Sequence, residues 1–442
     1  MSNSNILDIT SDTDVEPQSL PQVEVDSAAQ LDHLEHIDSG FEAEEDVESL
    51  DPTQLPEYVL YHKSPVYSLD FYHKEGTPFY LLVGDGDDTL TVYDFATKSI
   101  IKAFSFEESV VFAKFSPDYT SFCAVGMSGE VKIVSVETME VNAEFNLYSD
   151  VTALEWHPSS KCVVLGDASG NCWVYTAPKW QVFTIVPGSA PVTSLLVVDN
   201  KRICTGYEDG SVKVWSPSPN GPTIIGEVED TNDQWGPILS FALAGEMVFI
   251  GTLSGILLNL PISARKFREQ RQLNPHMDSI ESLIFKDGLL FSCSVDGEIR
   301  SYDINTMSLR ASIKEFGFTS LVDAGNKLIA AGTVEGSVHI RDSRSLELLF
   351  EIHDHVDTIF AMSSFVTGNE RFVVSGCASM VCTLNLSTID PDVEESTAVF
   401  RELQRAYEDA MNMANTEEVE LPIELAKDED EFSECSEPAI EE

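Results

Sequence analysis

Three histidines and three aspartates recur at spacings suited to buried hydrogen-bond pairs. His62, His276 and His355 each stand four residues ahead of an apolar residue that opens a strand-like run (Val66, Ile280, Ile359). Asp87, Asp209 and Asp296 each stand six ahead of an aromatic residue (Tyr93, Trp215, Tyr302). A buried imidazole must find partners, so the expected role is a structural His–Asp link inside a repeat rather than catalysis. Two other groupings invite a metal. His353-Asp354-His355 has the look of a ligand pair, but His355 is already claimed by the repeat. Gly84-Asp85-Gly86-Asp87-Asp88 is acidic and glycine-rich, yet it lacks the twelve-residue pattern and closing Glu of an EF-hand. No glycine-rich phosphate loop ends in Lys-Ser or Lys-Thr. The expectation is a protein without metal, cofactor or enzymatic activity.

The elements that carry these residues repeat. The phrase Gly206-Tyr207-Glu208-Asp209-Gly210-Ser211-Val212-Lys213-Val214-Trp215 returns eight times, with the place of Gly210 taken by Asp88, Gly129, Gly170, Gly210, Gly255, Gly297, Gly336 and Met380. A second phrase, apolar-x-x-apolar-x-apolar, keeps step with it from Val66, Val110, Val151, Val192, Ile238, Ile280, Phe318 and Ile359. A period near 42 residues, with a hairpin turn followed by a strand, predicts an all-β, eight-bladed propeller over 57–386. The phrases resemble WD-type repeats whose Gly-His and Trp-Asp dipeptides are mostly replaced. The chain after Met380 leaves the last blade one strand short, so 57–62 is expected to close it.

Charge sets the boundaries. Of 442 residues, 75 are acidic and 26 basic, a net charge of −49. Residues 1–56 hold 15 acids and no Lys or Arg, as a disordered acidic arm would. In 387–442 the net charge is −16. There Val399, Phe400, Leu403, Tyr407 and Met411 keep helical spacing. They predict an amphipathic helix within 387–416, ahead of a disordered acidic tail over 417–442. The ring itself carries −18. Such a balance argues against nucleic acid, whose phosphates need basic faces, and against anionic membrane. Membrane insertion is not expected, since no run approaches 18 apolar residues. Cysteines in apolar runs fit a reducing compartment. A cytoplasmic monomer is expected, with the nucleus as a further location. One basic cluster, Arg265 to Arg271, stands out between blades five and six.

Propellers meet partners on the face built from the loops that enter the inner strands and the middle hairpin turns. Candidates there are Tyr67, Asp85, Asp150, Asp167, Tyr207, Glu208, Trp235, Glu281 and Phe360. Carboxylates with aromatics suit a basic protein client, by steering and cation–π contact. The phrases Glu155-Trp156-His157-Pro158, Gly206-Tyr207-Glu208-Asp209-Gly210 and Ser279-Ile280-Glu281-Ser282-Leu283 make 57–386 similar to the angio-associated migratory cell protein family. That family in turn resembles a fungal WD-repeat chaperone of one large-subunit ribosomal protein. The resemblance implies a chaperone in ribosome assembly or, alternatively, a cytoplasmic scaffold in migration or signalling.

Overall fold

The computed structural model describes residues 57–392 apart from 73–78, 96, 98, 231, 233, 263–270, 274, 354, 356 and 368–369. Its strands form eight four-stranded antiparallel sheets, the blades of a propeller. Blade one runs from its inner strand Val66–Tyr72 through Tyr80–Asp85 and Thr89–Asp94 to the outer strand Ser99–Ser105. Six more blades repeat this order. Blade eight takes three strands from Ala361–Thr367, Glu370–Gly376 and Met380–Asn385 and its fourth from Glu57–Tyr61. Glu57 pairs with Leu384 and Tyr61 with Met380, so the two ends of the ring are sewn together there.

Burial follows position in the blade. The second strands are closed in on both faces by neighbouring blades, and they are nearly continuous apolar runs, as in Tyr80–Asp85 and Cys162–Asp167. Outer strands such as Ser99–Ser105 and Ser308–Lys314 are largely exposed. Blades dock through one recurrent contact. A glycine at or next to the end of a second strand leaves room for the first residue of the next blade's inner-strand phrase. A Cβ on Gly84 would lie 2.8 Å from Val110, and one on Gly376 would lie 2.9 Å from Val66, which carries the same contact across the closing seam.

Seven of the eight middle turns share one geometry. Asp88, Gly129, Gly170, Gly210, Gly255, Gly297 and Gly336 all have left-handed backbones, with φ between 59° and 91°. This is why glycine dominates the position. Met380 does not belong to the series. In blade one Gly84 pairs with Leu90, whereas in blade eight Gly376 pairs with Val381, one residue closer. The last turn is shorter, and Met380 is already the first residue of a strand.

Among the described residues the cysteines carry free thiols, and all but Cys162 are buried. Burial pushes the Cys172 and Cys204 thiols up to about 12, so they act as small hydrophobes. The expected arm over 1–56 and tail over 417–442 lie outside the described residues, as does the helix from 393 onward. Residues 387–392 form turns, with Ile389 N–H donating to Leu386. Most of the basic cluster also lies outside them, and Arg271–Leu273 forms a three-residue outer strand of blade five.

Candidate protein-binding face

Antiparallel order brings the start of each inner strand, the middle turn and the end of each outer strand to one rim of the ring. The charges there are almost all of one sign. Blades one to three contribute exposed Asp87, Glu107, Glu108 and Asp150; blades four to eight contribute Glu208, Asp209, Glu229, Asp278, Glu315, Glu335 and Asp357. Against them, Lys63 is the one Lys or Arg among the described residues of these loops and turns. The opposite rim is mixed, with Lys161, Lys179, Lys201, Lys327 and Arg344 beside Asp118, Glu137 and Asp287.

Apolar side chains stud the same acidic rim. Tyr67 and Phe360 are both nearly half exposed, and their rings lie 6.4 Å apart across the seam between blades one and eight. Met127, Tyr148, Leu253, Met277, Val295 and Phe316 are exposed around the circle, Tyr148 and Met277 almost fully. Sequence reasoning passed over these six, although a signal existed. Met127, Leu253 and Val295 sit two residues before the recurring turn glycine, where Glu208 also sits.

Of the nine expected contact residues, five reach solvent: Tyr67, Asp150, Glu208, Phe360 and, partly, Glu281, whose carboxylate accepts from Ser279. Four are buried, which corrects their assignment. Asp85, Asp167 and Tyr207 end second strands, one level beneath the turn tip, and face into the blade. Asp167 is the hub of its turn, accepting from Asn171 N–H and the Trp173 indole N–H at 2.7 Å each. Tyr207 is fully buried beside Gly188, where a side chain would run into its ring. Trp235 packs in the core between blades four and five, its indole N–H reaching Gln272 Oε1 at 3.4 Å.

The His–Asp links are only partly as expected. His276 Nδ1 lies 3.2 Å from Asp296 Oδ2, and its Nε2 is 2.8 Å from Ser292 Oγ. His62 meets Asp85 at 3.6 Å rather than Asp87, which is exposed. Tyr93 Oη stands 3.4 Å from the other nitrogen of His62. Asp209 has no histidine; it accepts from Ser189 Oγ at 3.2 Å and from Ser211 N–H at 2.9 Å. The grouping His276, Asp296 and Glu298 is compact enough to suggest a metal. Its atoms are used internally, since Met277 and Glu298 N–H donate to Asp296, and Glu298 binds Arg300.

His355 Nε2 lies 2.8 Å from Ser375 Oγ, and its Nδ1 has no partner among the described residues. Burial holds its pKa down to about 4, against an ordinary 6.5. The unfolded chain therefore takes up the proton first. The stability tied to a neutral His355 is whole above pH 6.5 and is lost as pH falls toward 4, by about 3 kcal/mol. Burial also depresses His276 and His339 and adds to the slope. Urea midpoints should fall steeply over this range, and less steeply in His355→Gln; parallel curves would contradict the assignment.

The sequence model of the WD domain, G-beta repeat, matches residues 180–216. That stretch runs from the outer strand of blade three through the third strand of blade four, in a ring of eight such units. The chain is an eight-bladed β-propeller with a WD-type repeat in it. The chain is similar to the angio-associated migratory cell protein of Homo sapiens and of Canis lupus familiaris. Each is 26% identical over 325 residues, covering 68% of this chain and 74% of theirs. Among solved structures, Saccharomyces cerevisiae Sqt1 matches 73% of this chain and 97% of its own at 17% identity, with a TM-score of 0.65. Chaetomium thermophilum Sqt1 bound to the N-terminus of the ribosomal protein L10 matches 74% and 98% at 19% identity, with a TM-score of 0.64. These structural likenesses establish the β-propeller fold.

Proposed function

We propose that this propeller is a non-enzymatic binding protein whose acidic rim captures a segment of a basic protein client. The observation that carries this reading is the charge division between the two rims, one almost purely acidic and the other mixed. Exposed carboxylates steer a cationic chain in, and the interspersed Tyr67, Phe360, Tyr148 and Met277 give it apolar contact and ring faces. A ribosomal protein is the favoured client, and chaperoning until assembly the favoured role. Support comes from the Sqt1 structure that holds the L10 N-terminus on the same fold. The alternative of a scaffold in cell migration is supported by the likeness to angio-associated migratory cell protein.

Asp150 and Glu208 are exposed and Glu281 is half-buried at the inner edge of the rim. Replacing all three by Lys should abolish capture of a basic client peptide while leaving the melting temperature unchanged. In the native chain the affinity should fall steeply with salt, because the screening length contracts from about 10 Å at 0.1 M to about 3 Å at 1 M. Capture that survives both the charge reversal and high salt would overturn the reading.

A further inference from the structure

The fifth position of the inner strand marks one level of the central channel. Counted from Val66, Val110, Val151 and Ile359, its register is fixed by pairing with the second strand: Asp70 with Leu82, Lys114 with Cys123, Glu155 with Val164 and Ser363 with Val374. Blades eight, one, two and three therefore place Ser363, Asp70, Lys114 and Glu155 side by side. At the same level blades four to seven carry Leu196, Ala242, Ile284 and Val322. At this level four adjacent blades carry polar residues and the other four apolar ones that pack toward the blade cores.

A cavity of about 320 Å³ opens against the polar half, walled by Phe115, Tyr119, Trp156 and Met362. Tyr119 belongs to a turn on the rim opposite the acidic one, so the cavity faces away from the proposed client site. It lies three inner-strand residues below Tyr67, roughly 10 Å along the channel. Its charges do not balance. Lys114 Nζ donates to Glu155 at 2.7 Å and to the Leu154 carbonyl at 3.3 Å, so this pair neutralises itself. Asp70 accepts from Phe71 N–H at 2.9 Å, Phe115 N–H at 2.8 Å and Ser363 Oγ at 3.0 Å. Lys114 acts on Asp70 through space, but its ammonium is bonded to Glu155; among the described residues no cation bonds Asp70 itself, and burial pushes its carboxyl upward despite these bonds and Lys114. A buried carboxylate with no cation bonded to it, beside aromatic walls, is matched by a cation that brings its own apolar stem.

We propose that this cavity is a second binding site, separate from the acidic rim, for a single ammonium or guanidinium group on an aliphatic stem. Such a group could come from a free amine or from a lysine or arginine side chain of a peptide. The stem lies along Met362 and Phe115 and the cation meets Asp70.

The test is calorimetric titration of the full chain with agmatine and with a five-residue peptide carrying one central arginine between uncharged residues. The same peptide with citrulline serves as the neutral control. One saturable site is expected for the cationic probes and none for citrulline. Agmatine binding as tightly as the peptide assigns the site to a free amine; tighter peptide binding assigns it to a side chain. Asp70→Asn should weaken binding about tenfold or more. Asn cannot accept all three bonds, so Ser364→Tyr provides a second variant: it fills the cavity, leaves Asp70 intact and should abolish binding. The rim variant with Asp150, Glu208 and Glu281 changed to Lys should bind the probes unchanged. No saturable heat, equal binding of citrulline, or loss only in the rim variant would overturn the proposal.

Discussion

Deleting residues 1–61 should open the ring and lower its melting temperature by roughly 10 °C, whereas deleting 1–56 should leave it unchanged. The difference between the two deletions is the strand Glu57–Tyr61, which supplies the outer edge of blade eight through five paired residues. Loss of its cross-strand bonds, at about 1 kcal/mol each, removes about 4–6 kcal/mol from a domain of ordinary marginal stability. Met380–Asn385 then becomes a free edge of mostly buried residues, Val381, Cys382 and Leu384 among them. Such an edge pairs with other chains. Aggregation on size-exclusion chromatography should therefore accompany the lower melting point. Equal melting of the two deletion variants would mean that the seam is held by inter-blade packing alone.

Glu315→Ala should cost about 3–5 kcal/mol, far more than a rim carboxylate ordinarily contributes. Its partner Arg341 is almost wholly buried at the position that Trp215 occupies in blade four. Trp215 needs one bond there, from its indole N–H to Thr205 Oγ1 at 2.8 Å. A guanidinium needs a network. Arg341 binds Glu315, donates to the Leu346 carbonyl at 2.9 Å and lies 2.9 Å from His339 Nδ1. His339 in turn stands 2.8 Å from Glu351 Oε1 and 3.0 Å from Ser337 Oγ. Without Glu315 a buried positive charge loses its bonded counter-ion and keeps only the unbonded Glu351 beyond His339. Glu315→Ala combined with Arg341→Leu should recover much of the loss, with a coupling of about 1–3 kcal/mol in urea midpoints. Simple additivity of the two changes would refute the network.

The ring was legible because its signals are periodic and local. A left-handed turn admits glycine and few other residues, so Gly129 through Gly336 mark the blades in the sequence itself. The shorter final turn was not legible, because Met380 falls close enough to the period to pass for a member. On the binding face, the sign of the charge was readable and the depth of individual residues was not. Glu208 and Tyr207 are adjacent in sequence, yet one is exposed and the other fully buried. What buries Tyr207 is the absence of a side chain at Gly188, on a different strand connection. The exchange of Asp87 for Asp85 as the partner of His62 has a similar origin. Asp85 ends a strand and points inward, whereas Asp87 rides the turn. The polar half of the channel escaped notice because Asp70, Lys114, Glu155 and Ser363 are separated by whole blades and become neighbours only when the ring closes.

Eight blades of nearly one shape would offer a bound chain eight equivalent poses, and a recognition surface of that kind would be rotationally degenerate. The seam lifts the degeneracy. At the second inner-strand position only blades one and eight carry rings, Tyr67 and Phe360, while the others carry Val111, Thr152, Thr193, Leu239, Glu281 and Thr319. The rim thus has a single index mark, set where the inner strands of blades one and eight adjoin. On the proposed function, a client clasped there would be fixed in phase, with every other blade reading a different part of it.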